Sequence, residues 1–208
     1  VPEGFKFSPK IFQFITHQND NYELNQRALH DFVHSIMHFE DHLGMCLLQL
    51  PPYFGIDRLP DLEKLLKTIP SSIQVGVEFR HSSWFRDQTL HPIAFELLRI
   101  FNMTAVITDV AGRRDVLHMS LPRPYSMIRF VGNELHPSDY SRIDSWVNRI
   151  KSWIDSGLEE VYFFVHHPTF INVPELSNYF IQKLNKVCAL QLNEVQYVQA
   201  PEPQMSLF

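Results

Sequence analysis

The chain has 208 residues, 45% of them hydrophobic and 13% aromatic, with 17 phenylalanines and a formal net charge of −5. That length and apolar content suffice for one domain with a substantial core. The negative balance excludes a global basic field of the kind that captures nucleic acid non-specifically, though not a local basic patch. No apolar run approaches the roughly 18 residues of a membrane span. Cys46 and Cys188 lie in apolar surroundings without CxxC spacing. They read as buried thiols of a reducing, cytoplasmic compartment rather than as a disulfide or metal pair.

The chain opens on Val1-Pro2-Glu3-Gly4, turn sequence without an initiating Met, and is expected to lack its true N-terminus. Phe5 to Ser8 alternates with period two and predicts a short strand, with Lys10 just beyond it. Leu29, Phe32, Val33, Ile36 and Met37 recur at helical spacing, so a helix is expected from Leu24 to Leu43, stopping at Gly44. Met45 to Leu50 is a continuous apolar strand closed by Pro51-Pro52. A helix over Asp61 to Leu66 follows, and then a strand from Ile73 to Phe79. Pro92 to Phe101 predicts helix and Thr104 to Thr108 strand, with Asp109 at its end. Residues 110–124 form a long loop. Beyond it come a strand from Ser126 to Val131, a helix from Asp139 to Asp155, a strand from Val161 to Val165 and a helix from Pro174 to Leu190.

Six strands, each followed by a helix or a long loop, predict an α/β fold with a parallel sheet and helices outside. An open doubly wound sheet competes with a closed barrel. With seven glycines in all and no Gly-rich phosphate loop, the nucleotide-binding open sheet is disfavoured. The strands end in Lys10, Gln49, Glu78 with Arg80 and His81, Asp109, Arg129, and His166-His167. Polar residues at every carboxyl end suit a TIM-type (β/α) barrel, where those ends converge on one mouth. Six of its eight strands are then present. The expected organisation is an N-terminally truncated barrel over residues 1–195 and a C-terminal tail over 196–208.

Several stretches resemble the YecE-like family, the domain of unknown function 72. They are Pro2-Glu3-Gly4-Phe5-Lys6-Phe7, Lys10, Thr16-His17, Leu43 to Pro52, Val77-Glu78-Phe79-Arg80-His81-Ser82-Ser83-Trp84, Thr108-Asp109 and Ile128-Arg129-Phe130. The resemblance spans nearly the whole chain in order and implies a TIM-type barrel, with two further strands before Val1. His166-His167 stands where the family pattern more often has asparagines. A family of unknown function leaves the reaction open.

Glu78 and Arg80 are two apart on a strand and share a face. Arg80 with Lys10 and Arg129 would form a cationic floor for an anionic ligand. Glu78 and Asp109 are the candidate catalytic carboxylates, Glu78 acting either as a base or as the internal partner that holds Arg80. His81 and Trp84 suit stacking on a base or sugar, Trp84 equally a packed anchor. His17, Gln49 and His166 complete the expected ligand-binding set. His17, Glu78, Asp109, His166 and His167 are residue types that hold a divalent metal, but no HxH or HExxH spacing joins two ligands. No serine lies in a Gly-x-Ser-x-Gly elbow.

The tail ends Gln204-Met205-Ser206-Leu207-Phe208. It resembles the short peptide by which bacterial proteins bind the DNA polymerase sliding clamp, with Gln204 hydrogen-bonded and Leu207 and Phe208 in an apolar pocket. The alternative is that Leu207 and Phe208 pack on the barrel. Two functional classes follow from the sequence. One is a hydrolase acting on a phosphate-containing or nucleic-acid substrate. The other is a non-catalytic module that binds nucleic acid or another anionic ligand.

Overall fold

A computed structural model describes residues 1–12 and 22–196; His17 and the tail residues Gln204, Leu207 and Phe208 lie outside them. The chain has an α/β fold. Its described elements are α1 (Tyr22–Met37), β1 (Cys46–Gln49), α2 (Leu59–Thr68), β2 (Val75–Glu78), β3 (Phe85–Arg86), β4 (Thr89–Leu90), α3 (Pro92–Ile100), β5 (Thr104–Val110), β6 (Tyr125–Val131), α4 (Pro137–Asp155), β7 (Glu160–His166) and α5 (Val173–Cys188). A five-stranded sheet has the order β1-β2-β5-β6-β7, and β3-β4 form a separate two-stranded sheet. The pairings β1–β2, β2–β5 and β5–β6 are parallel. The contacts divide the chain into two compact units, one of residues 1–131 with 156–164, the other of residues 132–155 with the chain from Val165 onward.

In the first unit apolar side chains are buried on both faces of the sheet, and the helices pack on one of them. On one face Cys46, Leu48, Val75, Val77 and Ala105 join Leu29, Phe32 and Ile36 of α1, Leu62 and Leu66 of α2, and Ala94, Leu97 and Leu98 of α3. The helical spacing of those residues is what turns each apolar stripe onto the sheet. On the other face Met45, Val106 and Met127 are buried, with Leu47, Tyr125, Tyr162 and Phe164 packed against them. Gly76 is small of necessity. A Cβ there would stand 2.8 Å from Val106 Cγ2 and 3.2 Å from Met45 Sδ.

Three elements depart from the sequence expectation. The predicted helix to Leu43 ends at Met37, and a 3₁₀ turn at Glu40–His42 follows, with Glu40 at φ 47°. The strand at Phe5 to Ser8 is reduced to isolated bridges, Phe7 with Leu43 and Lys10 with Leu47. The β3–β4 hairpin carries little signal in the sequence, because its strands have two residues each and its turn is Asp87-Gln88 rather than Asn-Gly. Both turn residues adopt positive φ, 50° and 57°, the geometry that matches the twist of a hairpin.

The long loop 110–124 is tied down by a histidine. His118 is 1% exposed and stacks on Phe85 with ring centres 5.4 Å apart. Its Nδ1 accepts the backbone N–H of Ser120 at 3.2 Å, which leaves Nε2 to donate to the Val106 carbonyl, also at 3.2 Å. The same local motif, a histidine Nδ1 accepting the N–H two residues on, recurs at His81, His91, His136 and His167.

Both cysteines are free thiols. Burial pushes the Cys46 thiol up to about 12, and raises that of Cys188 more modestly, with Lys151 opposing. Since the thiolate is the reactive form, a chromogenic thiol reagent at pH 8 should titrate one cysteine, Cys188, in the native chain and two in denaturant. Rapid native reaction of both would contradict the packing around Cys46.

In the second unit α4 and α5 lie against each other. Ile143, Trp146, Val147, Ile150 and Trp153 of α4 and Leu176, Phe180 and Leu184 of α5 are the buried apolar positions, again at helical spacing. Asp139 is fully buried and neutralised locally, accepting from Asn133 N and from Arg142 Nη2, each at 2.7 Å. No helix among the described residues is long and apolar enough to cross a membrane.

Candidate functional site

A cavity of about 330 Å³ opens in the first unit, lined by Gln49, Glu78, Phe79, Arg80, Thr108, Val110, Arg113, Val116, Arg129 and Val131. Strand alternation explains the membership. Glu78 shares a face with Gly76, Thr108 with Val106, and Arg129 with Met127, so the apolar stripe of that face becomes polar toward the carboxyl ends of the strands. Gln49 lies beside Glu78 in the β1–β2 register, and Thr108 beside Arg129 in the β5–β6 register.

Glu78 is the hub. Its side chain is 2% exposed, and Oε2 accepts from Arg129 Nη1 at 2.5 Å and from Gln49 Nε2 at 2.9 Å. Gln49 Oε1 in turn accepts from Lys10 Nζ at 2.8 Å, which fixes its amide orientation. The other Glu78 oxygen, Oε1, has Arg80 Nε at 4.0 Å. The carboxylate thus fixes the Arg129 guanidinium and, through Gln49, the Lys10 ammonium, with Arg80 in a longer ion pair. A buried charge is tolerated only with such pairing. Arg129 is 20% exposed and Arg80 38% exposed, so both keep N–H groups for a ligand. Thr108 Oγ1 is buried, has no hydrogen-bond partner among the described residues, and belongs to the same lining.

The structure therefore brings together Lys10, Gln49, Glu78, Arg80 and Arg129. It does not bring Asp109 to them. Asp109 is adjacent to Thr108 on β5 and faces the opposite side of the strand, where its Oδ1 accepts from Arg114 Nη1 at 2.5 Å. Trp84 is fully buried, donates from Nε1 to the Phe54 carbonyl at 2.6 Å and packs on Phe79. Its indole anchors the turn after β2 and has no face left for a ligand. His81 is half-buried and caps the 3₁₀ turn Ser82–Trp84, bonded to Ser83 Oγ at 2.7 Å, while Ser83 Oγ also accepts from Ile56 N at 2.9 Å. His166 is exposed at the end of β7, in the second unit. His167 beside it is buried, accepting from Thr169 N at 2.9 Å. Among the described residues no three His, Cys, Asp or Glu side chains are grouped to hold a metal ion.

Sequence reasoning missed Thr108, Val110 and Arg113. Alternation puts Thr108 and Val110 on one face with Val106 and Asp109 on the other, but only the sheet register shows that the Val106 face is the one beside Glu78. Arg113 depends on the loop path. It sits at the rim and is neutralised by Asp115 through bonds of 2.7 and 3.2 Å, a pairing that holds the Asp115 carboxyl below its ordinary range.

The chain is similar to the UPF0759 protein YecE of Escherichia coli K12, with 27% identity over 228 residues, 99% of this chain and 80% of that protein. A crystal structure of a DUF72 family protein from Enterococcus faecalis V583 superposes with a TM-score of 0.72 at 17% identity, covering 92% of this chain and 81% of that one. One from Thermotoga maritima gives 0.64 at 21% identity, covering 91% and 76%. These likenesses support the α/β fold. The family described as "Protein of unknown function DUF72" matches residues 1–202, and the chain belongs to that family.

Proposed function

We propose that the sheet is the arc of a TIM-type (β/α) barrel and that the Glu78 cavity binds a small phosphate-containing ligand. The observation that carries this reading is the charge count: Lys10, Arg80 and Arg129 surround one buried carboxylate, Glu78. Among the described residues of the cavity two positive charges are left over, and Arg113 with Asp115 adds none. Arginine held in place by a carboxylate presents its remaining N–H groups in a fixed fork, which matches phosphate oxygens in pairs. Phe79, Val110, Val116 and Val131 supply an apolar wall for the rest of the ligand.

Arg80 is the contact residue in this reading, since its link to Glu78 is long and its side chain reaches solvent. Arg80→Ala should weaken binding about 10- to 100-fold, corresponding to about 1.5–3 kcal/mol for hydrogen bonds to a charged group. The unfolding midpoint should hardly move. Isothermal titration of the intact chain with inorganic phosphate, a nucleoside monophosphate and a short single-stranded oligonucleotide checks this. Failure of all three to bind, or equal binding by the Arg80→Ala chain, would sink it.

Hydrolysis of a phosphodiester is the finer form of the proposal. Among the described residues none donates a hydrogen bond of ordinary length to Glu78 Oε1, so it is the atom that would take a proton from water. A chromogenic diester that is bound but never turned over leaves the site as a binding module.

A further inference from the structure

Beyond Cys188 the chain turns back and runs extended along α5, and the way it is held resembles peptide recognition rather than packing. Asn178 donates from Nδ2 to the Val195 carbonyl at 3.1 Å and accepts the Val195 N–H on Oδ1 at 2.7 Å. Asn185 does the same for Leu192, at 2.9 Å in both directions. A side-chain amide is here matched, donor to acceptor and acceptor to donor, with both backbone groups of one residue. Between these rungs Gln182 Nε2 donates to Glu194 Oε1 at 3.0 Å.

The spacing fits an extended ligand. Seven residues of helix rise about 10 Å, and three residues of extended chain span about the same length. Asn178, Gln182 and Asn185 are four and three apart, so they share one helix face. Burial contributes little here, since Leu192 and Val195 remain 46% and 42% exposed. The recognition is therefore mostly of backbone, with one side-chain preference, an acid opposite Gln182. A cavity of about 310 Å³ beside the segment, lined by Tyr140, Glu175, Asn178, Tyr179, Gln182 and Glu194, leaves room for larger side chains. The turn into the segment carries local strain: Ala189 sits at φ 54°, ψ 40°, the left-handed region that a Cβ disfavours by about 1–2 kcal/mol.

We propose that the Asn178–Gln182–Asn185 face of α5 is a docking site for an extended peptide, that residues 192–195 are its occupant in cis, and that a free peptide of the same chemistry can replace them in trans. The preferred peptide has free backbone groups three residues apart and an acidic side chain in between, one residue before the second anchor. Nothing in this proposal involves the anion cavity, and it stands or falls without it.

The test uses the intact chain with the cis segment released. Leu192→Pro with Val195→Pro removes both N–H donors that meet the asparagines and leaves α5 untouched. A fluorescein-labelled peptide with the sequence of residues 190–197 should then bind at least tenfold more tightly than it binds the unaltered chain. Adding Asn178→Ala and Asn185→Ala should abolish that binding. Alanine favours helix, so these variants keep α5, and circular dichroism verifies it. In the unaltered chain the Leu192 and Val195 amides should exchange slowly, and each single Asn→Ala change should accelerate only its own partner. Equal peptide binding with and without the asparagines, or no binding to the proline variant, overturns the proposal.

Discussion

Replacing Glu78 by alanine is expected to destabilise the chain by about 3–5 kcal/mol, the range for breaking a buried ion pair from one side. Four groups depend on that carboxylate. Arg129 loses the acceptor of its 2.5 Å bond, Gln49 loses the acceptor of its amide N–H, and Lys10 and Arg80 are left beside an uncompensated positive cluster. Arg129 is only 20% exposed, so water cannot fully replace Glu78. Glu78→Gln keeps the volume and one acceptor and should cost less. Glu78→Leu combined with Arg129→Met removes both members of the pair, and replacement of a whole buried pair by apolar groups is often neutral or stabilising. Urea unfolding of the four chains checks the ordering. A Glu78→Ala loss under about 1 kcal/mol would mean that solvent already screens the pair, and would remove the basis for treating Glu78 as the organiser of the cavity.

Acid should weaken the fold through His118. Burial holds its imidazole well below the usual range, at about 4, with the hydrogen bond to Val106 O only partly opposing this. An unfolded histidine takes up its proton near 6.5. Between about pH 6.5 and 4 the unfolded state therefore binds a proton that the folded state does not, and stability falls as the pH falls through that window. Above 6.5 neither state is protonated and the contribution is flat. The difference, on the order of 2.5 pH units, amounts to about 3 kcal/mol at its full extent. The measurement is a comparison with a variant that cannot take up a proton at this position. The His118→Asn side chain retains an acceptor for Ser120 N but has no proton to gain. The pH dependence of its urea midpoint should be correspondingly shallower, and identical slopes would refute the assignment. Because His118 pins residues 110–124 to β5 at Val106, loosening of this loop by acid would also disturb the cavity wall at Arg113 and Val116.

Much of the fold was legible because its signals are local. A continuous apolar run such as Met45 to Leu50, or Leu97 and Leu98 at helical spacing, declares its element whatever surrounds it. The order of strand and helix then leaves few arrangements beyond a parallel sheet. Lys10, Gln49, Glu78, Arg80 and Arg129 were legible for the same reason, being polar residues at strand ends.

Other features depended on contacts that no local pattern carries. Whether Asp109 or Thr108 enters the cavity depends on which face of β5 turns toward Glu78, and a shift of one residue reverses it. Trp84 reads as a stacking platform from composition, yet the carbonyl of Phe54, thirty residues earlier, draws its indole inward. The end of α1 at Met37 follows from the positive φ at Glu40, and the β3–β4 hairpin from a turn with no glycine. The peptide held along α5 depends on Asn178 and Asn185 meeting residues 17 and 7 positions further on. By itself, then, the sequence determined the strand–helix alternation and the set of charged strand ends, since period and polarity act over a few residues. The tertiary structure alone decided which of those charges share a cavity and which side chains close their hydrogen bonds elsewhere, because pairing, register and burial are settled between segments distant in the chain.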